Sequence, residues 1–283
     1  MKFTLPSAGL FIPDNKPEEK ALARTTHLAV AAHQDDIEIM AFHGIIECFQ
    51  RKDKWFTGVT VTNGSGSPRD GIYKNFTDEE MRAIRIQEQE KAAIIGSYAA
   101  QFFLDYPSSA IKDAKNKGPS DDIEAILKIA KPDIIYTHNP ADKHETHVAV
   151  ALRTIEAARK LPANNRPKRV LGCEVWRDLD WLPDGDKVAL DVSAHENLQA
   201  ALLGVFDSQI AGGKRYDLAT MGRRRAHATY HSSHATDVST GITFAIDLTS
   251  LINDPGKDIA EYIKGYIDRF AKEVTATLKK IGY

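Results

Sequence analysis

Apolar residues over the first 176 positions follow two alternating rhythms. Short β-branched or alternating runs predict strands at about 26–32, 55–62 (with Phe56, Val59 and Val61), 100–104, 133–137 and 169–176. Helical spacing fills the gaps. One pattern runs through Ile37, Met40, Ile45 and Cys48. A second opens at Thr77-Asp78-Glu79-Glu80, a capping box in which Thr and Glu satisfy each other's backbone donors, and runs to about Ile95, with Gly96 as its stop. Ser120 is expected to cap a third helix reaching Ala130, and a fourth spans Glu145 to Leu161. Residues 1–25 read as an N-terminal arm, because Pro6, Pro13 and Pro17 interrupt any regular element. Residues 26–283 read as a single domain.

Five strands separated by helices imply an α/β fold with a three-layer, doubly wound, mainly parallel Rossmann-like sheet. In the order 3-2-1-4-5 the first and fourth strands are neighbours and the chain reverses its winding between them. Beyond 176 the pattern loosens. Val188–Val192 and Gly241–Leu248 read as strands, 194–209 and 216–230 as helices. A long amphipathic helix is expected over 257–281. Its stripe of Ile259, Tyr262, Ile263, Tyr266, Ile267, Phe270 and Val274 reads as a face packed on the rest of the domain.

Two polar clusters follow directly on apolar runs. His33-Gln34-Asp35-Asp36 comes after strand one, and His138-Asn139-Pro140-Ala141-Asp142-Lys143-His144-Glu145-Thr146-His147 comes after strand four. Open α/β sheets place ligand sites at the carboxyl ends of their strands, so the assumed topology brings both clusters to one crevice. His33 and Asp36 are three apart, as are His144 and His147, so each pair can point at one spot. Two histidines and one carboxylate form the ligand set of a catalytic zinc site with a coordination position left open. Asp35 is then free to act as a general base. Read structurally, the first cluster alone would be a helix N-terminus with Asp as cap; its pairing with the second favours the metal.

Other features carry less chemistry. Asn63 to Gly71 is a Gly-rich loop, but Arg69 stands where a dinucleotide fingerprint needs its third glycine, so a pocket wall or lid fits better than a nucleotide cradle. Arg223-Arg224-Arg225 reads as a solvated helix face, and His231 and His234 as loop or pocket-rim histidines. The net charge of −2 argues against a nucleic-acid binder and gives no pull toward an anionic membrane. The two cysteines, Cys48 and Cys173, imply no disulfide framework. With neither a signal-peptide pattern nor a run of ~20 apolar residues, a cytoplasmic protein is expected.

These motifs resemble the PIG-L/LmbE family of zinc-dependent N-deacetylases. His33-Gln34-Asp35-Asp36 is similar to that family's His-Pro-Asp-Asp, with Gln in place of Pro. His144-Glu145-Thr146-His147 is similar to its His-Pro-Asp-His at both histidines. His138-Asn139-Pro140-x-Asp142 and Arg85-x-x-Glu88 also resemble it, and Asp36-Ile37-Glu38-Ile39 looks most like the bacillithiol-synthesis deacetylases. The resemblance covers roughly residues 26–220 and implies an LmbE-like fold. It further implies His33, Asp36 and His147 as zinc ligands, Asp35 as general base, His144 as the group stabilising the oxyanion, and Arg85 as a substrate-hydroxyl contact. Asp142 enters as a substrate-side residue that could replace the carboxylate missing at Thr146. The Glu-Ala-Phe-like segment near the family's C-terminus is absent here, and Tyr230 to Thr236 stands in its place, at the expected pocket mouth.

The expected reaction is hydrolysis of the acetamide of an N-acetylglucosamine-type sugar or conjugate, releasing acetate and a free amine. The expected cofactor is Zn2+, with Fe2+ as an alternative. The expected partner is a small N-acetylated sugar, with neither nucleic acid nor membrane involved; self-association is left open. The rivals are hydrolysis of another amide, a non-haem Fe(II) oxygenase, which usually sits in a β-barrel, and a non-catalytic metal- or sugar-binding relative, which would not need Asp35.

Overall fold

A computed structural model describes all residues from Met1 to Tyr283. Its strands are β1 (Gly9–Phe11), β2 (His27–Ala31), β3 (Phe56–Thr62), β4 (Ala100–Tyr106), β5 (Ile134–His138), β6 (Arg169–Cys173), β7 (Val188–Asp191) and β8 (Ile242–Asp247). They form one sheet in the order β1-β4-β3-β2-β5-β6-β8-β7. The run from β4 to β6 is parallel, with Val30 beside Val59 on one side and Thr137 on the other. β1, β8 and β7 add antiparallel pairings at the two edges. The winding reverses between β2 and β5, as the alternating pattern implied.

Strands buried on both faces need apolar residues at successive positions, and Leu28 to Ala31 are all fully buried. Leu28, Val30, Val59, Phe102 and Ile135 pack with Ile123, Ile126, Val150 and Ile155 on one face. Ala29, Ala31, Phe56 and Tyr136 pack with Ile37, Met40, Ile45 and Tyr98 on the other. Truncating any one of the large core side chains to Ala should cost ~2–5 kcal/mol.

Several elements differ from the sequence expectation. The arm is not devoid of regular structure: Gly9–Phe11 pairs with β4 and Glu18–Ala23 is a short helix, because the prolines fall between these elements. The third helix starts at Gly118, with Pro119 in its first turn, and the Ser120 hydroxyl donates back to the Lys117 carbonyl. Gly96 keeps right-handed dihedrals and Ser97 takes the positive φ, at 55°. β6 stops at Cys173, and the buried Glu174 that follows accepts the Leu179 and Phe244 N–H groups. The helix Ile259–Lys280 buries only Ile263 and Tyr266 of its stripe; Ile267, Phe270, Val274 and Leu278 are 38–50% exposed. The packed face expected there extends over about the first two turns. No helix is long and apolar enough to cross a membrane.

Candidate functional site

β2 and β5 are hydrogen-bonded neighbours, and the residues just past their carboxyl ends meet. Asp36 opens the short helix Asp36–Met40, and His144 is the N-cap of the helix Glu145–Lys160. Nδ1 of His33 lies 3.1 Å from Oδ2 of Asp36, and Nε2 of His147 lies 3.3 Å from each of those two atoms. Ligand bonds of ~2.0–2.2 Å around a tetrahedral ion correspond to donor separations of about 3.3–3.6 Å. This triangle is therefore close to one face of such a polyhedron, and these three residues could hold a metal ion.

The electrostatics favour positive charge at that spot. Burial pushes the Asp36 carboxyl up, but the rings of His147, His138 and His33 outweigh it and hold the group well below its ordinary range. Burial disfavours charge on His147, yet Asp36 and Asp142 push that ring up to about 9. Burial lowers His33 and, together with the neighbouring His147, lowers His138 well below the usual histidine range.

Asp35 has φ 95° and ψ −33°, a conformation that L residues rarely adopt, and such outliers cluster at functional sites. It turns its carboxylate toward the Arg85 guanidinium, at 3.5 Å. Burial dominates its environment and raises it well above the ordinary aspartate value, with Arg85 opposing. Arg85 is itself anchored by the Ser67 hydroxyl and the Gln34 carbonyl. The loop after β3 follows from this. Gly64 has φ 69°, a backbone conformation that strains residues with a Cβ, so glycine suits the turn that brings the loop against Gln34 and Arg85.

The cavity above these groups measures about 610 Å³. Asn63 to Pro68 line it, as expected of the Gly-rich loop, together with His33, Asp35, Asp36, Arg85 and His144. Tyr230 to Thr236 do not. That segment follows the helix Tyr216–Tyr230 away from the pocket, and His231 packs 5.4 Å from the Phe244 ring. Neither His231 nor His234 belongs to a metal-binding cluster. Arg224 is no solvated residue either: it is fully buried and donates to the Glu38 and Ile39 carbonyls at the end of the Asp36–Met40 helix.

Asp142 departs from its expected place on the substrate side. Its side chain is 0% exposed and lies behind His147, with Oδ2 3.4 Å from Nδ1 of that ring. It also accepts the backbone N–H of His144 and of Trp176, each at 3.1 Å. Its oxygens are thus committed to holding the second cluster in shape. It gives no bond to the His144 ring, whose Nδ1 has no partner. Burial and the nearby His147 lower His144 below the ordinary histidine value.

Several side chains beyond the two motif sets also shape the site. His138 is fully buried, accepts the Ala32 N–H at 2.9 Å through Nε2, and stacks on His147 at 3.9 Å. Its place at the end of an apolar strand was the available signal. Trp176, Gln209, Lys214 and Tyr216 complete the pocket from segments with no recognisable motif.

The comparisons follow the same lines. A family model, PIG-L: GlcNAc-PI de-N-acetylase, matches residues 28–158. An uncharacterized deacetylase, YaiS, of Escherichia coli (strain K12) is 31% identical over 138 residues, 48% of this chain and 69% of that protein. Two solved structures share the fold. The N,N'-diacetylchitobiose deacetylase of Pyrococcus horikoshii aligns with a TM-score of 0.57 at 16% identity, over 82% of this chain and 88% of its own. The 4-carboxy-2-hydroxymuconate hydratase GalB of Pseudomonas putida KT2440 also aligns at 0.57, with 15% identity, over 79% and 95%. One fold thus carries two chemistries, and the site has to distinguish them. With both polar motifs inside the matched region and a curated relative covered over two thirds of its length, the chain belongs to the PIG-L family, GlcNAc-PI de-N-acetylase.

Proposed function

We propose that the protein is a zinc-dependent deacetylase of an N-acetylglucosamine-type sugar or conjugate, built as one catalytic domain over residues 26–283. The observation that carries this reading is the His33, Asp36 and His147 triangle with a carboxylate outside it, Asp35, beside it in the same pocket. A nitrogen- and oxygen-donor set of this kind suits Zn2+, and it also accommodates Fe2+. When bound, the ion polarises the amide carbonyl and makes water acidic enough to attack near neutral pH.

The chain's own residues supply the rest. Asp35 removes a proton from the attacking water, and the raised affinity of its buried carboxyl for protons suits it to hold that proton. Arg85 keeps the carboxylate aimed at the pocket. As water adds to the carbonyl carbon, negative charge grows on the carbonyl oxygen, and the His144 ring, lining the same cavity, donates toward it. The proton on Asp35 then passes to the amide nitrogen, the C–N bond breaks, and acetate and a free amine leave. Asp142 and His138 do not line the cavity; they orient His147 and Asp36.

The test is acetate release from a panel of N-acetylglucosamine glycosides by zinc-loaded and iron-loaded protein, with a chelated control. Turnover that requires the metal is expected. A metal-loaded protein that releases no acetate from any member overturns the reading.

A further inference from the structure

The helix Ile259–Lys280 carries one apolar stripe, and the domain covers only its first two turns. Ile263 and Tyr266 are buried, whereas Ile267, Phe270, Val274 and Leu278 continue the same face in solvent, with Ile281 just past the helix end. Spacings of three and four residues keep the five exposed side chains in line. Beside the covered end opens a groove of about 680 Å³, walled by Val148 and Leu152 on the helix Glu145–Lys160 and by Ile259, Ile263 and Ile267. Ile267 belongs to both, so stripe and groove form one continuous apolar surface.

The geometry narrows what can cover it. The buried and exposed parts of the stripe share one face, so the domain projects past the exposed part on that side. A flat surface such as a bilayer meets the domain first, whereas a slender rod such as a helix fits the corner. A second copy of the same helix fits it in one direction only. Run parallel in register, it would lie over Ile263 and Tyr266, which the domain already covers. Run antiparallel, with Val274 facing its own copy, it sets Phe270 opposite Leu278 and Ile267 opposite Ile281, because each pair is centred on position 274. The flanks permit this register. Asp268 comes opposite Lys279, and Lys280 comes opposite an Arg269 that Asp186 already neutralises. Glu273 faces its own copy, a like charge at an exposed edge. The overlap from Ile267 to Ile281 is about 21 Å long and, with the edge of the groove, buries on the order of 1,000 Å² in total, the lower end of specific interfaces.

We infer that the exposed half of this helix is a homodimer interface, in which two copies of the chain pair antiparallel about a two-fold axis at Val274 and each Ile281 seats at the mouth of the other copy's groove. An interface of this size supports a weak, reversible dimer with a Kd on the order of 10 µM. The pairing is independent of the chemistry in the His33 pocket.

Sedimentation velocity on the full chain, at concentrations from about tenfold below to about tenfold above that Kd, should show monomer giving way to dimer. Val274→Asp places two carboxylates at the axis and should raise the Kd by about a hundredfold or more. The dilute variant should unfold at the wild-type denaturant midpoint, because Val274 is exposed in the monomer. Cysteine cross-linking reads the direction. Val274→Cys should form a disulfide with its own copy on mild oxidation, whereas Ile267→Cys should not, since its copy lies about 21 Å along the helix pair. An equimolar mixture of Ile267→Cys and Ile281→Cys should give the mixed disulfide. The native Cys48 and Cys173 are buried and stay out of the reaction. A chain that stays monomeric at the upper concentration overturns the inference. So does a dimer that Val274→Asp leaves intact, or an Ile267→Cys variant that cross-links with itself as readily as Val274→Cys. Flotation with phosphatidylcholine–phosphatidylserine vesicles tests the rival surface. Capture of monomer on vesicles through Val274, with no dimer in solution, overturns the inference as well.

Discussion

Oδ2 of Asp142 stands 3.4 Å from Nδ1 of His147, on the side of the ring opposite Asp36. The same carboxylate accepts the backbone N–H groups of His144 and Trp176. One buried side chain therefore sets the tautomer of a candidate ligand, the start of its helix and the position of the pocket wall. Asp142→Asn should weaken metal binding by ~10–100-fold, measured by competition with a chelator of known affinity. Unchanged affinity would remove Asp142 from this role.

Asp35→Asn should bind metal as the parent does and lose ~10²–10⁴-fold in turnover, because the base goes and the donor triangle stays. Metal content by elemental analysis, alongside acetate release, checks both halves. A metal-replete Asn variant that turns over at the parental rate would contradict the assignment.

His144 lies beside the triangle without completing it, with its ring centroid 5.3 Å from that of His33. His144→Ala should keep the metal and turn over slowly, by ~10²–10³-fold if its donor acts on the oxyanion. Loss of the metal from this variant would mean that His144 is itself a ligand.

Glu174 and His227 form a buried pair at 3.1 Å, joining the end of β6 to the helix Tyr216–Tyr230. Burial alone would raise the Glu174 carboxyl. The His227 ring and the N–H groups of Phe244 and Leu179 outweigh it and hold the group below its ordinary 4.5. The unfolded chain then binds this proton more tightly than the folded one. The associated stability is present in full above pH 4.5 and is lost as the pH falls from there through the folded value. Glu174→Gln should flatten this part of the acid limb in denaturant titrations between about pH 3 and 5. His227→Ala should cost ~1–3 kcal/mol at neutral pH by removing one partner of a buried carboxylate that keeps the Leu179 and Phe244 N–H groups and the Thr243 hydroxyl. A loss below 1 kcal/mol would show that the pair is not needed.

Residues Lys272 to Tyr283 are all exposed. Ending the chain after Ala271 should change the unfolding free energy of the monomer by no more than ~0.5 kcal/mol. A larger loss, growing with protein concentration, would reveal a partner for the exposed stripe.

The alternation of β-branched runs with helical spacing was sufficient to place β2 to β6 and their order, because a strand buried on both faces has few other ways to satisfy its backbone. The same topology, applied to two polar clusters, brought His33, Asp35, Asp36, His144 and His147 to one crevice. Their short spacings are local, and local spacing on a turn or a helix start is readable from the chain. Other features depended on contacts between distant segments. Whether Asp142 would serve substrate or His147 depended on the path of the Pro140 to Lys143 turn. Trp176, Lys214 and Tyr216 follow no motif and reach the pocket only because β6 ends early and the chain returns over it. How much of the C-terminal stripe is covered depended on where the sheet ends, since an apolar face in the sequence does not specify what it meets. Periodicity and turn chemistry are properties of neighbouring residues and were legible; the partners of a buried charge and the reach of a packed face are properties of the whole chain, and only the tertiary structure decided them.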